Sequence, residues 1–425
     1  MTDLETGFAF LLAQSSMSLV YVYWYTLIFD VPRYVSGFIA IALAAVWGRL
    51  KGAEPAEHAA VAPKVSVLVA GHNEAPALEK CVHSLREQSL QGLEIVVVSD
   101  GSSDGMARLA AQMAREGLID RALATDLRSG KSAAINLAAA ASSGDIIVIV
   151  DCDCSYDRSA IASIVAPFSD PAVGGVAGDL IPRNADASLV ARFQAIEYLL
   201  SISVGKRIGA AIDQVCCISG AFGAFRRQAL IEVGGYDVGG GEDLDLTIRM
   251  RAAGWKVVFA DEAICYTDVP VRLWTLVRQR LRWERDAIRL RYRKFLGLMD
   301  ARSGRFRLPE LFHQWEFLIV NVAATVVFPV YTVCLFAQYG EFALPILVAM
   351  QLGLLLLDFL TLALAALITD RPVFLRNSPY MPGYSVFSTF IMRAVRLWAY
   401  VEEWLLFASV RDDYVPHKVR SIRKW

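Results

Sequence analysis

The chain has 425 residues, 55% of them hydrophobic, with a mean hydropathy of +0.41 and a formal net charge of −1. Length and hydropathy accommodate a large soluble domain together with membrane segments, and the charge balance carries no footprint of a nucleic-acid binder. The seven cysteines (81, 152, 154, 216, 217, 265, 334) form an odd set without disulfide-framework or zinc-finger spacing. They read as thiols of a reducing compartment, and structural zinc is set aside.

The N-terminus runs GFAFLLAQSSMSLVYVYWYTLIF (7–29), then DVPR, then YVSGFIAIALAAVWG (34–48). No basic region precedes it and no small-residue cleavage site follows, which argues against a signal peptide. Residues 1–51 read as a membrane anchor, either a two-helix hairpin or one kinked span, the second stretch being shorter than the roughly 20 residues a span needs. Arg49 and Lys51 behind it place the next segment on the cytoplasmic side. Residues 52–63 form a small, polar, proline-bearing linker.

From residue 64 to 268 apolar runs alternate with helical stretches. Strands are predicted at 65–70, 93–100, 122–126 and 146–151, with helices at 76–88, 104–116 and 131–142. The alternation predicts an α/β fold with a mostly parallel, doubly wound sheet whose ligands sit at the carboxyl ends of the strands. Three of those ends are polar: GHNE (71–74), SDGSSDG (99–105) and DCD (151–153). In extended chain residues two apart share a side, so Asp151 and Asp153 point one way and Cys152 and Cys154 the other. Two carboxylates at a strand end suit Mg²⁺ or Mn²⁺, which keep waters and take phosphate oxygens as further ligands. Each segment also has a purely structural reading: SDGSSDG as a glycine turn capped by Ser103 or Asp104, GHNE as a solvated loop. DLRSGKSAAIN (126–136) is like the end of a phosphate loop, but the leading glycine of GxxxxGK[ST] is missing. Lys131 is then either a phosphate neutraliser or an ordinary helix-start lysine.

Further on, GGGEDLDLTIRMRAAGW (239–255) opens a helix with Glu242 and Asp243. Acids there are favoured by the helix dipole, or one of them is a general base. In VRQRLRWERDAIRLRYRKF (277–295), Gln279, Arg282 and Trp283 fall at i, i+3, i+4 and face one way, with Arg278 and Arg280 alongside. Residues 269–310 read as amphipathic interface helices, for which a basic face at a membrane surface is sufficient reason. An amide, a guanidinium and a large aromatic ring together also suit a diphosphate and a sugar. Two apolar stretches, 315–337 and 342–368, predict a transmembrane hairpin over 311–369 that returns to the cytoplasm at DRPVFLRN (370–377). The last apolar segment (387–410) carries Arg393, Arg396, Glu402 and Glu403 and precedes a basic tail, so residues 370–425 read as an interfacial or re-entrant helix and a cytoplasmic tail. Asp358, inside an apolar span, is either functional or the partner of another helix.

With Asp100 in SDGSSD, the DCD at 151–153, Glu242–Asp243 and QRLRW (279–283) in this order, followed by apolar helices, the sequence resembles the membrane-embedded family 2 glycosyltransferases. These include the cellulose, hyaluronan, chitin-oligosaccharide and poly-N-acetylglucosamine synthases. The resemblance covers about residues 64–295 through motifs and the flanking helices in layout. It implies a nucleotide-sugar-binding domain of the GT-A type and an inverting transfer to a growing β-linked polysaccharide. Asn73, Glu74 and Asp100 would hold the nucleoside and Lys131 would lie near the diphosphate. Asp151 would fix sugar and nucleotide, with Asp153 ligating Mg²⁺ or Mn²⁺. Asp243, beside Glu242, would deprotonate the acceptor hydroxyl. Gln279, Arg280 and Arg282 would bind the leaving diphosphate, and Trp283 would stack on the acceptor sugar.

The stretches LVARFQAIEYLLSISVGKR (189–207) and SGAFGAFRR (219–227) look most like the poly-N-acetylglucosamine and chitin-oligosaccharide enzymes, which implies UDP-N-acetylglucosamine as donor, with UDP-glucose the other choice. The layout implies a multi-pass protein of the bacterial inner membrane with its catalytic domain cytoplasmic. Its partners would be a nucleotide-sugar donor, a glycan or lipid-linked acceptor, the bilayer, and a second copy or export partner; no nucleic acid is implied. The resemblance leaves no room after QRLRW for a cyclic-dinucleotide-binding domain. Two alternatives stand beside this reading: transfer of a single sugar to a membrane lipid, and a non-catalytic scaffold, which would be expected to lack at least one of these acids.

Overall fold

A computed structural model describes residues 3–39, 63–211, 214–304, 306–369, 373–411, 416 and 417. Its sheet grows from the β-branched runs singled out above: β1 Val65–Gly71, β2 Glu94–Asp100, β3 Arg121–Thr125 and β4 Ile146–Asp151. β1 lies between β2 and β4, parallel to both, and β3 pairs parallel with β2. Alternate side chains feed two cores. Val65, Val67, Val69, Ile95, Val97 and Val148 enter one, while Leu68, Val96, Val98, Ile147 and Ile149 enter the other. Both faces are covered, which is why these strands are apolar without a break. The helices Ala75–Arg86, Met106–Arg115 and Lys131–Ala141 lie between them in sequence.

Four further strands extend the sheet to eight: β5 Ser155–Tyr156, β6 Val173–Pro182, β7 Phe222–Arg226 and β8 Lys256–Thr267, in the order β3-β2-β1-β4-β7-β6-β8-β5. The α/β expectation holds, and the second half is mixed. β7 is antiparallel to β4 and β6, β8 is parallel to β6, and β5 is antiparallel to β8. Cys152, Cys154, Cys81 and Cys265 are buried, and all seven cysteines are free thiols, so the cysteines of DCDC pack behind the strand as the alternation required.

Around this domain lie helices. Among the described residues one helical stretch, Leu308–Thr369, is long and apolar enough to cross a membrane. This differs from the several crossings expected. The stretch is broken at Gly340, whose φ of 54° and ψ of −120° take it out of helical geometry. The N-terminal segment is helical in pieces, Asp3–Leu12, Ser16–Val22 and Thr26–Asp30 among them. Arg49, Lys51, the linker up to residue 62 and most of the basic tail lie outside the described residues.

The charges that made the last apolar segment ambiguous have partners. Arg393 pairs with Asp30 at 2.7 Å, Glu402 faces Arg285 at 3.7 Å, and the buried Glu403 accepts from Arg293 at 2.6 Å. Arg396 lies 3.4 Å from Glu284, to which Tyr400 also donates at 3.0 Å. The contacts to Glu284 and Arg285 fasten the helix Arg393–Leu406 along the helix Leu273–Arg289, and Asp30 and Arg293 hold it from two further segments. Asp358 accepts from Tyr34 at 2.6 Å, so it is matched across two helices.

Candidate active site

The loops following β1 and β2 cap one another. Asn73, in the left-handed region at φ 59°, donates its amide to Ser102 Oγ at 3.1 Å and accepts the Ser103 amide at 2.8 Å. Asp104 accepts the amides of Ala75 at 2.8 Å and Met106 at 3.1 Å, capping two helices at once, and these bonds hold its carboxyl below the usual range. The capped-turn reading of SDGSSDG, with Asp104 as the cap, is therefore realised in the structure.

Asp100, buried at the end of β2, accepts the amides of Ser129 and Gly130, each at 2.7 Å, and the Thr125 hydroxyl at 3.1 Å. It thereby shapes the 125–130 loop and sets the start of the helix that Lys131 opens. Gly101 lies against that loop at φ +60°, and a Cβ there would fall 2.3 Å from the amide nitrogen of Arg128. No side chain fits.

Lys131 Nζ donates to Asp151 Oδ1 at 2.5 Å and to the Gly220 carbonyl at 3.2 Å. Asp153 is exposed in the same cleft; desolvation by the walls, then the neighbouring Asp151, raises its carboxyl. Half-buried Glu74 faces both aspartates and is pushed up to about 7, first by burial and then by Asp153 and Asp151. Among the described residues no group of three or more His, Cys, Asp or Glu side chains forms a metal cage. What is present is two aspartates at one strand end with a third carboxyl opposite. That donor set fits a hard divalent cation that completes its shell with water and phosphate oxygens.

The acidic pair rests on a glycine turn that another helix clamps. A Cβ on Gly240 would meet Asp286 Oδ2 at 2.4 Å, and Gly241 sits at φ +66°. Arg289 donates to the Gly240 carbonyl at 2.6 Å while pairing with Asp286 at 2.9 Å. Lys294 adds contacts of 2.6 Å to Asp237 and 2.5 Å to Asp245. Glu242 and Asp243 then open the helix Glu242–Ala252. Burial first, and then the adjacent Asp243, push Glu242 above the usual carboxylate range. Asp243 Oδ2 accepts the Gly220 amide at 3.3 Å.

Gly220 is thus the meeting point. A Cβ placed on it would lie 3.1 Å from Lys131 Nζ, 3.7 Å from Glu242 Oε1 and 3.8 Å from Asp243 Cβ. Within SGAFG the sequence marks Gly220 only as a glycine ahead of a strand. Arg183, which no motif marks, donates to the Asp153 carbonyl at 2.7 Å and pairs with Asp268 at 2.9 Å, tying the DCD loop to the end of β8.

On the helix Leu273–Arg289, Gln279 and Arg282 are half-buried and Trp283 is 42% exposed. Arg280 is buried instead of opening to the cleft: its Nη2 donates to Glu197 Oε2 at 2.7 Å and its guanidinium lies 4.2 Å from the Trp283 ring centroid. Arg280 thus has a packing partner on each side, where the resemblance implies a ligand of the diphosphate.

The family described as "Glycosyltransferase like family 2" matches residues 63–285, more than half of the chain. An N-acetylglucosaminyltransferase of Rhizobium sp. (strain N33) is 31% identical over 240 residues, 53% of either chain. A poly-beta-1,6-N-acetyl-D-glucosamine synthase of Staphylococcus aureus (strain COL) is 28% identical over 242 residues, 56% of this chain and 58% of that one. The chain spans about half the length of the curated relatives it matches. Among solved structures, the mannosyltransferase PcManGT from Pyrobaculum calidifontis, in complex with GDP-Man and Mn²⁺, superposes with a TM-score of 0.58 at 24% identity over 87% of this chain and 99% of that one. At that identity the likeness speaks for the fold.

Proposed function

The chain belongs to the glycosyltransferase-like family 2, and from that premise we propose that it transfers a sugar, with inversion, from a nucleotide diphosphate sugar to a growing β-linked glycan at the membrane. The observation that carries this reading is the convergence on Gly220 of Lys131 and Asp151 from one wall and Glu242 and Asp243 from the other. A cation for a leaving diphosphate and a carboxylate for its metal ion face a base across the width of one glycine.

The residues divide the work as follows. The 71–74 and 99–105 loops hold the nucleoside, with Asn73 and Glu74 lining it and Asp100 holding the loop beneath. Asp151 and Asp153 would hold Mg²⁺ or Mn²⁺, which when bound shields charge developing on the diphosphate. Lys131 leaves Asp151 for the phosphate oxygens, and Gln279 and Arg282 face the same group from the QRLRW helix. Asp243 takes the proton of the acceptor hydroxyl as its oxygen attacks the anomeric carbon from the side opposite the leaving group. One displacement converts an α-linked donor into a β-linked product. Trp283 presents an aromatic face to the acceptor.

The names of the relatives favour UDP-N-acetylglucosamine over UDP-glucose as donor. We assign the protein to a bacterial cytoplasmic membrane, with residues 64–268 as the catalytic unit on the cytoplasmic side, 1–51 as anchor, 269–310 as interface helices and 311–369 as membrane hairpin. A second copy or a separate export partner would complete a path for a long product.

The test is nucleotide-diphosphate release from the full chain in nanodiscs, with a panel of nucleotide sugars and either cation, products being sized by mass spectrometry. One donor giving a ladder of oligosaccharides, lost in Asp243→Asn, is the expected result. A single-sugar lipid would replace polymer synthesis by lipid glycosylation, and release unaffected by Asp243→Asn would remove the base from the scheme.

A further inference from the structure

The helix Leu189–Glu197 continues through a π-helical turn, Tyr198–Val204, into Gly205–Ala211, and its side chains reach both walls of the site. Toward one wall, Glu197 Oε2 accepts Arg280 Nη2 at 2.7 Å, with the arginine side chain 5% exposed and the glutamate 23%. The Arg280 guanidinium lies over the Trp283 ring at 4.2 Å and near the Tyr198 ring at 5.9 Å. Toward the other wall, Lys206 Nζ donates to Ser219 Oγ at 2.8 Å and to the Gly178 carbonyl at 3.1 Å, and Ser203 donates to Asp179 at 2.6 Å. Ser219 immediately precedes Gly220, whose amide faces Asp243. A single helical segment therefore grips the aromatic ring through a charge pair and the loop against Asp243 through the hydrogen bond of a buried lysine.

An ion pair with its arginine buried is a poor device for stability, because the desolvation of its charges offsets their attraction. It is a good device for fixing a geometry. With Arg280 over one face of Trp283, the other face is left for a sugar, and the guanidinium can hold that position only while a carboxylate holds the guanidinium. Resting on the transferase reading, we infer that Glu197 is a positioning residue for the acceptor. Through Arg280 it sets the plane of the Trp283 ring, and through the shared helix it keeps that plane in register with Asp243. Without the glutamate charge, Arg280 is a buried cation that keeps only aromatic neighbours and turns toward the nearest anion, uncovering the ring. The acceptor then binds loosely while the donor loops, which Glu197 does not touch, keep their shape.

The experiment is steady-state kinetics in nanodiscs with UDP-N-acetylglucosamine and a β-linked N-acetylglucosamine oligosaccharide, together with UDP binding by calorimetry. The chains compared are the wild type, Glu197→Gln, Glu197→Asp and Arg280→Lys. Glu197→Gln is expected to raise the acceptor KM about tenfold while the donor KM stays within about twofold. Glu197→Asp, which keeps the charge on a shorter arm, should recover part of the loss. Arg280→Lys keeps a cation for Glu197 but loses the planar group over the ring, and should show the same acceptor defect. An unchanged acceptor KM in both Glu197→Gln and Arg280→Lys, or donor and acceptor KM rising together, overturns the inference. If Glu197→Gln no longer binds UDP it has lost its fold, and Arg280→Lys decides by the same criterion. A wild-type chain that binds UDP yet transfers no sugar overturns the transferase reading, and this inference with it.

Discussion

Lys131 and Asp151 are joined across the floor of the cleft at 2.5 Å, with side chains 19% and 31% exposed. A pair this open contributes about 0–1 kcal/mol to stability, so its value lies in where it places charge. Lys131→Met is expected to shift the melting temperature by only about 2–4 °C while weakening UDP binding about tenfold or more. Calorimetry checks this, and an unchanged Kd would show that the ammonium never meets the diphosphate.

Asp243 faces the cleft from a helix start that Arg289 and Asp286 hold through the Gly240 turn. Asp243→Asn keeps the side-chain shape and the bond from the Gly220 amide but takes no proton. Its kcat should fall about 10²–10⁴-fold, with UDP affinity near that of the wild type. Single-turnover rates against the calorimetric Kd separate the two effects; loss of both together would mean that the residue is structural.

Glu242 lends itself to a pH experiment. Unfolded, its carboxyl titrates near ~4.3; folded, burial and Asp243 raise it. Between those two values the folded state binds the extra proton, so stability declines as pH rises through that window and is highest below it. Melting curves from about pH 5 to about pH 8 should therefore fall less steeply for Glu242→Gln than for the wild type. Parallel curves would show that Glu242 is as solvated in the fold as in the open chain.

Gly101 admits no side chain, because a Cβ would strike the backbone of Arg128 and the φ of +60° is itself unfavourable. Gly101→Ala should lose about 1–3 kcal/mol and, by moving the loop that Asp100 shapes, weaken UDP binding. Gly92→Ala is the control: its φ of +75° is strained, but nothing lies within 4 Å. Equal losses in the two variants would mean that the contact with the 125–130 loop is immaterial.

Glu403 is fully enclosed and accepts from Arg293 at 2.6 Å and from the amide and hydroxyl of Ser409 at 2.8 and 2.9 Å. Glu403→Gln should cost about 3 kcal/mol, the usual result of removing one partner from an enclosed pair. Limited proteolysis checks it, with cleavage in 381–411 appearing well before cleavage in the sheet.

The parallel half of the sheet was legible because β1, β2 and β4 are buried on both faces and so announce themselves as unbroken Val and Ile runs bounded by polar turns. β6 and β7 were not: GGVAGDLIP and FGAFR are glycine-rich, since Phe222, Ile218 and Trp255 pack where a Cβ on Gly178, Gly175 or Gly174 would be, and such strands show no periodicity. The acids of the cleft were legible as residue types at strand and helix starts. The fate of Arg280 was not, because helical spacing says which side chains share a face but not that Glu197, far away in sequence, waits beside one of them. The charges of the last helix were ambiguous for the same reason. A list of charges on an apolar face has two meanings until the partners are known, and here the partners Asp30, Glu284, Arg285 and Arg293 come from other segments.

The clamp on the Gly240 turn also bears on how this protein can be dissected. Asp286, Arg289 and Lys294 all lie beyond Trp283 in the chain, yet they hold the glycines and Asp245 from which the Asp243 helix begins. A soluble fragment cut just after Trp283 would retain every acidic motif and look complete on paper. On the reading proposed above its base would be unmoored, and an inactive preparation of that kind would report on the site of truncation and not on the chemistry of the cleft.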